Sequence, residues 1–226
     1  MTLYKKKRMK SVIKSYKKDI FELGLLLDTF DLNKYEYAFV GGWVRFYTTS
    51  FLSNNQANLP TDIDIIVKIP SKEIQSILDE YRISYTKNDF DSFKIITNQT
   101  EIDIWSFYNH APFKNGHFKP LWKNIPKSSY TTLDGATFTN KGKLYLDKIQ
   151  KSVDDKFVDL TTKDLYGVEN KFIIVAKLVY YYCLGFKLSD RAKLVVNNYL
   201  KTNNIDKLQL YFQKKYNQTF PKEIKW

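Results

Sequence analysis

Two short stretches of this chain constrain its fold more than any other part of it. The first, residues 37–45, is an apolar, β-prone run that ends in the consecutive glycines Gly41 and Gly42. The second, residues 61–67, alternates aspartate with branched apolar residues. Alternation with a period of two is typical of a strand with one buried face, and a glycine pair after an apolar run is typical of a sharp turn. The pattern therefore predicts a strand, a turn, a helix and a second strand.

The glycine turn is predicted to lead directly into a helix over residues 43–51, where apolar side chains recur at helical spacing. A helix that begins on such a turn presents free N–H groups and the positive end of its dipole, which together form a site for phosphate. Arg45 would lie in the first turn, close to the same anion. The alternative is a plain strand-turn-helix corner without a ligand, which a Gly-Gly pair alone does not exclude.

Asp62 and Asp64 are predicted to project from the same face of the second strand, while Ile63, Ile65 and Val67 point into a core. Residues two apart on a strand are separated by roughly 6.6 Å. Two neighbouring carboxylates repel each other and are costly to desolvate. A divalent cation removes that cost, and magnesium is bound through one or two carboxylates together with substrate phosphates. The alternative is an amphipathic sheet edge whose acids are solvated.

A third carboxylate is supplied by a predicted β-hairpin. Residues 93–97 and 101–107 are β-prone runs on either side of a short polar turn, and Asp103 stands between two isoleucines of the second run. Since both acid-bearing strands place isoleucines on the opposite face, the hairpin can bring Asp103 beside Asp62 and Asp64. The three acids and the glycine turn together predict a metal site.

The order Gly-Gly-x-x-Arg, Asp-Ile-Asp-Ile and a later Ile-Asp-Ile resembles the DNA polymerase β-like nucleotidyltransferase superfamily. The similarity is greatest to the head of CCA-adding tRNA nucleotidyltransferases and bacterial poly(A) polymerases, and it covers about residues 35–190. The resemblance implies an α+β fold, a nucleotidyltransferase-type mixed sheet with helices on one face, followed by a small helical lobe. We expect residues 1–135 to form the catalytic head with a basic N-terminal helix, and residues 136–226 to form a mainly helical, neck-like domain.

The resemblance also implies how a nucleotide is bound. In this family the helix after the glycine turn binds the triphosphate, which assigns that role to Gly41, Gly42 and Arg45. The family's neck carries arginines near its start, where this chain offers Lys177. The chain has no clear Glu-Asp-x-x-Arg motif, the template with which CCA-adding members select C and A. These departures argue against CCA addition itself.

The same resemblance implies the chemistry. Asp62 and Asp64 would hold two magnesium ions, and Asp103 would help to activate an acceptor hydroxyl. The expected reaction is transfer of a nucleoside monophosphate from a nucleoside triphosphate, ATP or CTP, to that hydroxyl with release of pyrophosphate.

Charge indicates the acceptor. The chain has 36 basic and 24 acidic residues, a net charge of +12, which favours an anionic partner such as the 3′ end of an RNA, for example a tRNA. Basic and aromatic residues also interleave between Ile104 and Leu133, where no acid occurs. Such a pattern can hold a single strand by charge and stacking, or it can be a connecting loop whose aromatic residues pack on the core. The candidate acceptor-binding residues are Lys114, Lys119, Trp122 and Lys123.

Two other functions stay open on the sequence. One is a stand-alone, toxin-like transferase that nucleotidylates a protein or a small molecule. The other is a non-catalytic RNA-binding protein on the same fold, because a fold alone does not establish an activity.

The cellular setting follows from cysteine content and hydropathy. The single cysteine, Cys183, excludes a disulfide framework and indicates a reducing cytoplasm. The most apolar run, residues 172–186, is shorter than the roughly 20 residues that span a bilayer. We therefore expect a cytoplasmic protein without a membrane partner.

Helix and strand signals outside the motifs give further expectations. Residues 11–30 have the periodicity of one amphipathic helix, and residues 83–85 that of a short strand. Ser71 and Ser189 are predicted N-caps, and Gly185 is the predicted residue that closes the neck helix.

Overall fold

Strands with alternating or wholly apolar residues form a seven-stranded sheet in the computed structural model, which describes residues 2–49, 62–89, 91–161, 171–221, 223–224 and 226. The order across the sheet is β3-β4-β5-β2-β1-β6-β7. Strands β2 and β5 run parallel, and the other neighbours are antiparallel. The strands are β1 (Tyr37–Val40), β2 (Asp62–Val67), β3 (Thr86–Lys87), β4 (Ser92–Ile96), β5 (Glu101–Ser106), β6 (Ala136–Thr139) and β7 (Leu144–Leu146).

Helices precede, interrupt and follow the sheet. Two short strands, β8 (Phe157–Val158) and β9 (Lys187–Leu188), pair in parallel beside the C-terminal helices. The helices are α1 (Thr2–Asp19), α2 (Phe21–Leu32), α3 (Gly41–Thr48), α4 (Ser71–Glu80), α5 (Ala111–Lys114), α6 (Ile149–Asp154), α7 (Lys171–Cys183), α8 (Asp190–Thr202) and α9 (Asp206–Tyr216). This arrangement confirms the predicted α+β fold with a mixed sheet and a helical lobe after it.

The two faces of the central strands differ in chemistry. Ile63 and Ile65 of β2 are fully buried, together with Phe39 of β1 and with Ile102 and Ile104 of β5, and their side chains join the main hydrophobic core. Helices α2 and α4 contribute buried side chains to the same core. The acids of β2 and β5 occupy the alternate positions and are half-buried. The sequence prediction of which residues face the core is therefore confirmed.

The predicted hairpin is also present. Strands β4 and β5 are antiparallel, with Ile95 opposite Ile102. The connecting turn is closed by hydrogen bonds between Thr97 and Thr100, including one from the Thr97 N–H to the Thr100 carbonyl at 3.0 Å. The sheet continues after residue 135, since β6 pairs with β1 and β7 pairs with β6. The division into domains at that residue stays a prediction.

One helix predicted over residues 11–30 is two helices, and that expectation was wrong. The chain is extended at Ile20, with φ −117° and ψ 105°, so the helix is interrupted there and α2 contacts α1. The packing is close at Gly24, where an added Cβ would lie 2.5 Å from the Lys17 carbonyl oxygen. Burial of Ile20, which is 2% exposed, stabilises this corner in place of a continuous helix.

The expectations for local boundaries had mixed outcomes. Ser189 caps α8 by accepting a hydrogen bond from the Ala192 N–H, as predicted. Gly185 closes α7 as predicted, because its N–H and that of the next residue bond back to carbonyls of the last helical turn. Ser71 is not an N-cap: Pro70 takes that position, and the Ser71 hydroxyl donates to the Asp91 carbonyl.

Two further expectations concern short segments. The strand predicted at residues 83–85 is displaced to β3, because the backbone enters the sheet at Thr86, opposite Lys94. The helix predicted over residues 43–51 is α3, which begins earlier, at Gly41, and ends at Thr48; residues 50 and 51 lie outside the described part of the chain.

The C-terminal helices form a lobe whose interior is continuous with the main core. The rings of Tyr180 on α7 and Tyr216 on α9 stack at 4.1 Å with an interplanar angle of 7°. Phe212 of α9 is fully buried and packs against Tyr216 and Phe220. None of the described helices is long and apolar enough to cross a membrane.

Candidate active site

Strand register places two of the three predicted acids, Asp64 and Asp103, in one row across the sheet, and places Asp62 opposite Glu101. Asp64 on β2 is directly opposite Asp103 on β5, and on its other side it is opposite Val40, the last residue of β1. Lys94 on β4 is opposite Asp103 and extends the row. Since neighbouring strands lie about 4.8 Å apart, this register brings the two carboxylates together.

Asp62, Asp64 and Asp103, hereafter the acid triad, can each offer a carboxylate oxygen so that the three oxygens lie within 4.8 Å of one another. All three side chains are half-buried and therefore accessible from solvent. Hard oxygen donors at this spacing fit Mg²⁺ or Mn²⁺, which prefer carboxylate ligands. The predicted convergence of the acids is present, and the residues fit a divalent metal site.

The pKa values of the three acids in the triad are shifted in different directions. Burial, with the charges of Asp62 and Asp103, raises the pKa of Asp64 to about 8. Burial also raises the pKa of Asp103, although Lys94 acts in the opposite direction. Asp62 differs: burial opposes its charge, but Lys215 overcomes that effect and lowers the pKa of Asp62. Two of the three acids therefore resist ionisation, while a lysine holds the third in its charged form, and clustered pKa shifts of this kind are common at functional sites.

Two lysines that the sequence analysis did not select lie against the acid triad. Lys94 Nζ is 3.3 Å from Asp103 Oδ2 and 2.6 Å from Glu101 Oε2. Lys215 Nζ, from α9, is 2.5 Å from Asp62 Oδ2. Lys94 could have been found from the hairpin register, whereas Lys215 is 153 residues from its partner and carries no local signal.

The predicted glycine turn lies at the edge of the acid triad. Gly41 has φ +70°, a conformation that L side chains rarely adopt. A Cβ at Gly41 would lie 2.9 Å from Asp64 Oδ2, so a side chain there would collide with the carboxylate. Helix α3 begins at Gly41, and its first N–H groups are therefore beside the acids. Glycine at this position lets the backbone approach the site closely.

Arg45 lies in α3, as predicted, but its described partners are protein groups. Its Nη1 donates to the Leu133 carbonyl at 2.9 Å, to the Tyr181 hydroxyl at 2.7 Å and to Asp134 Oδ1 at 3.1 Å. The Arg45 side chain is 11% exposed. Its guanidinium is thus engaged beneath the surface, and its role as a triphosphate ligand stays a prediction.

Asp134, the acid that forms an ion pair with Arg45, was not among the predicted site residues. Asp134 accepts hydrogen bonds from Tyr181 at 2.7 Å and from Thr131 at 2.7 Å, and it forms an ion pair with Lys177 at 3.4 Å. We call Asp134 with these four side chains, Arg45 included, the Asp134 network. Burial opposes the charge of Asp134, but Lys177 and Arg45 overcome it and lower the pKa of Asp134. The network ties α3 to α7 through the loop before β6.

Lys177, the predicted neck lysine, faces both clusters. It pairs with Asp134, and its charge also acts on Asp64. Burial opposes its charge, yet Asp134 raises the pKa of Lys177 above its ordinary value. Lys177 is therefore a fixed cation behind the acid triad, and its contact with a nucleotide stays a prediction.

The candidate acceptor-binding residues lie on the connection between β5 and β6. Lys114, Lys119 and Lys123 are exposed. Trp122 is half-buried: its ring packs on Phe107 at 4.5 Å, in a small cluster on the face that carries the acids. The Trp122 indole N–H donates to Glu36 at 3.0 Å. The aromatic residue thus packs on the protein, and acceptor binding by these four residues stays a prediction.

Comparison with solved structures identifies the fold class. The sequence matches no model of a known protein family and no curated protein. The three-dimensional structure is similar to nucleotidyltransferases, and the chain has their mixed-sheet fold.

More particularly, the similar structures are CCA-adding and tRNA-processing enzymes. A CCA-adding enzyme in complex with ATP has a TM-score of 0.60 and 16% identity over 90% of this chain and 50% of that one. A Thermotoga maritima CCA-adding enzyme complexed with tRNA has a TM-score of 0.58 and 15% identity over 84% and 45%. A tRNA-processing enzyme with CTP has a TM-score of 0.52 and 14% identity over 76% and 44%. This chain thus spans about half the length of the structures that it matches.

Proposed function

We propose that this protein is a metal-dependent nucleotidyltransferase that transfers a nucleoside monophosphate from a nucleoside triphosphate to an acceptor hydroxyl and releases pyrophosphate. The observation that supports it most is the register of Asp64 with Asp103 beside the turn at Gly41. The arrangement favours a bound cation, because three carboxylate oxygens within 4.8 Å of one another repel one another in a metal-free protein.

The acid triad would hold two divalent cations, Mg²⁺ in the first instance. When bound, such ions supply Lewis-acid stabilisation of the reacting oxygens and lower the pKa of an attacking hydroxyl. The chain's own contribution is positioning. Helix α3 begins at Gly41, next to Asp64, and the free N–H groups of a helix start can orient a phosphate. Asp103 lies opposite Asp64, and in this proposal it accepts the proton of the acceptor hydroxyl.

The proposed acceptor is the 3′ end of an RNA, for example a tRNA. The net charge of +12 and the exposed lysines Lys114, Lys119 and Lys123 support an anionic acceptor. A structural neighbour is complexed with tRNA, and other neighbours bind ATP or CTP, which makes those nucleotides the first substrates to test. Cys183 is exposed and unpaired, which is consistent with a reducing cytoplasm as the setting.

Incorporation of labelled nucleotide tests the proposal. The purified protein is incubated with Mg²⁺, total RNA and each α-labelled nucleoside triphosphate in turn, beside Asp64→Asn and the surface control Asp155→Asn. Asp155 is an exposed acid at the end of α6, away from the acid triad. Label in a discrete RNA band with wild type and the control, but not with Asp64→Asn, is the expected result.

Other outcomes of this experiment separate the alternatives. Label on protein, or on a small molecule, would replace RNA by another acceptor and favour a toxin-like transferase. No consumption of any nucleoside triphosphate would favour a non-catalytic RNA-binding protein. If RNA is the acceptor, its affinity should fall steeply as the salt concentration rises, because contacts with several phosphates release counterions.

A further inference from the structure

Lys215 is placed on a metal-ligand oxygen by the C-terminal helix. It lies in the last turn of α9, and its Nζ is 2.5 Å from Asp62 Oδ2. Within the described residues, Asp62 is the carboxylate that lies within ion-pair distance of Lys215. The Lys215 and Asp62 side chains are 30% and 24% exposed, so the pair can be reached from solvent.

The position of Lys215 is fixed by packing. Tyr216, the next residue, stacks on Tyr180 of α7, and Phe212 is fully buried one turn earlier. The last turn of a helix also favours a cation, because its free carbonyl groups carry partial negative charge. The helical lobe therefore presents an ammonium group to the acid triad at Asp62, whereas Lys94 pairs with Asp103.

Lys94 and Lys215 differ in the carboxylate partners that they keep if a metal ion binds Asp103 and Asp62. Lys94 also pairs with Glu101 at 2.6 Å, so it keeps a carboxylate partner when Asp103 is withdrawn. Lys215 would lose its described carboxylate partner. A half-buried ammonium without a counter-charge is costly, and an incoming anion can remove that cost.

We propose that Lys215 is an internal cation that neutralises Asp62 in the metal-free protein, is displaced from it by the divalent cation, and then binds the triphosphate. This inference rests on the proposed function. A lysine ammonium group is a compact charge with three donors and suits phosphate oxygens without demanding one geometry. The beginning of α3 lies beside the same acids, so the triphosphate expected there is next to Lys215.

Metal and nucleotide binding should consequently favour each other. A cation that binds alone must displace Lys215 and leave it unpaired, which weakens binding. A nucleoside triphosphate that arrives with the cation supplies the missing negative charge. By linkage, each ligand then raises the affinity of the other by the same factor.

Titration of metal-free protein with Mn²⁺ alone, measured by isothermal titration calorimetry, tests whether the cation competes with Lys215 for Asp62. In Lys215→Met the competing charge is gone, and Mn²⁺ should bind about fivefold tighter or more, at the lower end of common couplings between two ligands. Lys214→Met is the matched control, since Lys214 precedes Lys215 on α9 and is exposed. It should bind Mn²⁺ as wild type does, and Lys215→Arg should stay close to wild type.

A second titration tests whether the displaced Lys215 binds the triphosphate. The ligands are non-hydrolysable α,β-methylene ATP and, separately, α,β-methylene CTP, each at saturating Mn²⁺. For whichever analogue wild type binds, Lys215→Met should bind about tenfold weaker, the effect of one charge-assisted phosphate contact. Lys214→Met should be unchanged, and Lys215→Arg should retain most of the affinity. A circular dichroism melt of each variant checks that it is folded.

The outcomes separate this inference from the proposed function. If wild type binds Mn²⁺ and an analogue and Lys215→Met binds both with wild-type affinity, the role of Lys215 is refuted and the proposed function stands. Weaker Mn²⁺ binding by Lys215→Met would also overturn it. If neither wild type nor Lys215→Met binds Mn²⁺, the acid triad is not a metal site and both proposals fail.

Discussion

Two clusters of charged side chains, one buried around Asp134 and one half-buried, lie side by side in this molecule, and they are built in opposite ways. In the Asp134 network one carboxylate receives two cations and two hydroxyl groups, and both of its oxygens have described partners. In the acid triad three carboxylates share two ion-paired lysines, and no hydrogen bond or ion pair joins the Asp64 carboxylate to a residue that the structure describes. The first cluster is satisfied by protein groups, and the second is the one that we propose to be completed by a ligand.

The difference distinguishes a structural role from a binding role. A satisfied buried acid favours one geometry and loses stability when a partner is removed. An unsatisfied cluster of like charges destabilises the empty protein, and a ligand of opposite charge regains that free energy on binding. The same chemical change should therefore have opposite consequences in the two clusters.

The largest expected effect tests the functional half of this comparison. Asp64→Asn should lower nucleotide incorporation by about 10³-fold or more, as is common for groups that act as one catalytic unit. Incorporation of labelled nucleotide measures it, with Asp155→Asn as the control that keeps activity. Turnover near the wild-type level in folded Asp64→Asn would remove the acid triad from the chemistry.

The next largest effect tests whether the Asp134 network has a structural role. Asp134→Asn leaves the largely buried Arg45 and the half-buried Lys177 without their counter-charge, and it should lower the free energy of unfolding by about 3–5 kcal/mol. Urea unfolding of this variant beside Asp155→Asn measures the loss. A loss as small as that of the surface control would show that the Asp134 network is not a structural centre.

The pH dependence of this loss has a fixed sign. The pKa of Asp134 is lower in the folded protein, so its contribution to stability is present above its unfolded pKa, about 3.9, and is lost as pH falls through the folded value. The stability gap between wild type and Asp134→Asn should accordingly be constant near neutral pH and close in acid. If the stability difference between wild type and Asp134→Asn widened in acid, the pKa of Asp134 would be raised by folding and not lowered.

His110 lies outside both clusters and should also make the stability of the protein depend on pH. Burial lowers the pKa of His110 to about 4, and its Nε2 lies 2.7 Å from the Ser128 hydroxyl. The unfolded chain binds the proton first, so stability should fall as pH decreases from 6.5 to 4, by at most about 3 kcal/mol. Urea unfolding of His110→Gln at several pH values should show a flatter profile than wild type over that window. An unchanged slope would mean that other groups cause the acid loss.

The smallest effect concerns one hydroxyl of the Asp134 network. Tyr181→Phe removes the group that donates to Asp134 and accepts from Arg45. The free energy of unfolding should fall by about 1–2 kcal/mol, the cost of unsatisfied buried partners. Urea unfolding measures this loss, and Tyr108→Phe, at an exposed tyrosine, is the control with little expected change. A loss equal to that of Asp134→Asn would mean that the Tyr181 hydroxyl, and not the ion pairs of Asp134, holds the network together.

The sequence predicted the acid triad because local rules determine most of it. Strand alternation fixes the common face of Asp62 and Asp64, and the short hairpin turn fixes where Asp103 lies in β5. The glycine turn was predictable for the same reason, since Gly41 adopts a conformation that favours glycine. The metal-ligand candidates therefore followed from short-range patterns.

The cations around the acids could not be predicted in the same way. Whether Arg45 faces a ligand or Asp134 depends on the loop before β6, 89 residues away. Lys215 reaches Asp62 because a distant helix packs on the sheet, and surface lysines elsewhere in the chain have the same local sequence character. Long side chains are positioned by tertiary packing, which periodicity does not report. The break at Ile20 was missed for a related reason, because burial of one side chain overrides helical spacing.

The most direct test of the contrast is urea unfolding of wild type, Asp64→Asn and Asp134→Asn, each in EDTA and in Mn²⁺. We predict that Mn²⁺ stabilises wild type and Asp134→Asn but not Asp64→Asn, and that in EDTA Asp64→Asn is at least as stable as wild type while Asp134→Asn is much less stable. If Mn²⁺ does not stabilise wild type, or if Asp64→Asn loses stability in EDTA as Asp134→Asn does, the acid triad is a structural cluster and not a site for a cation.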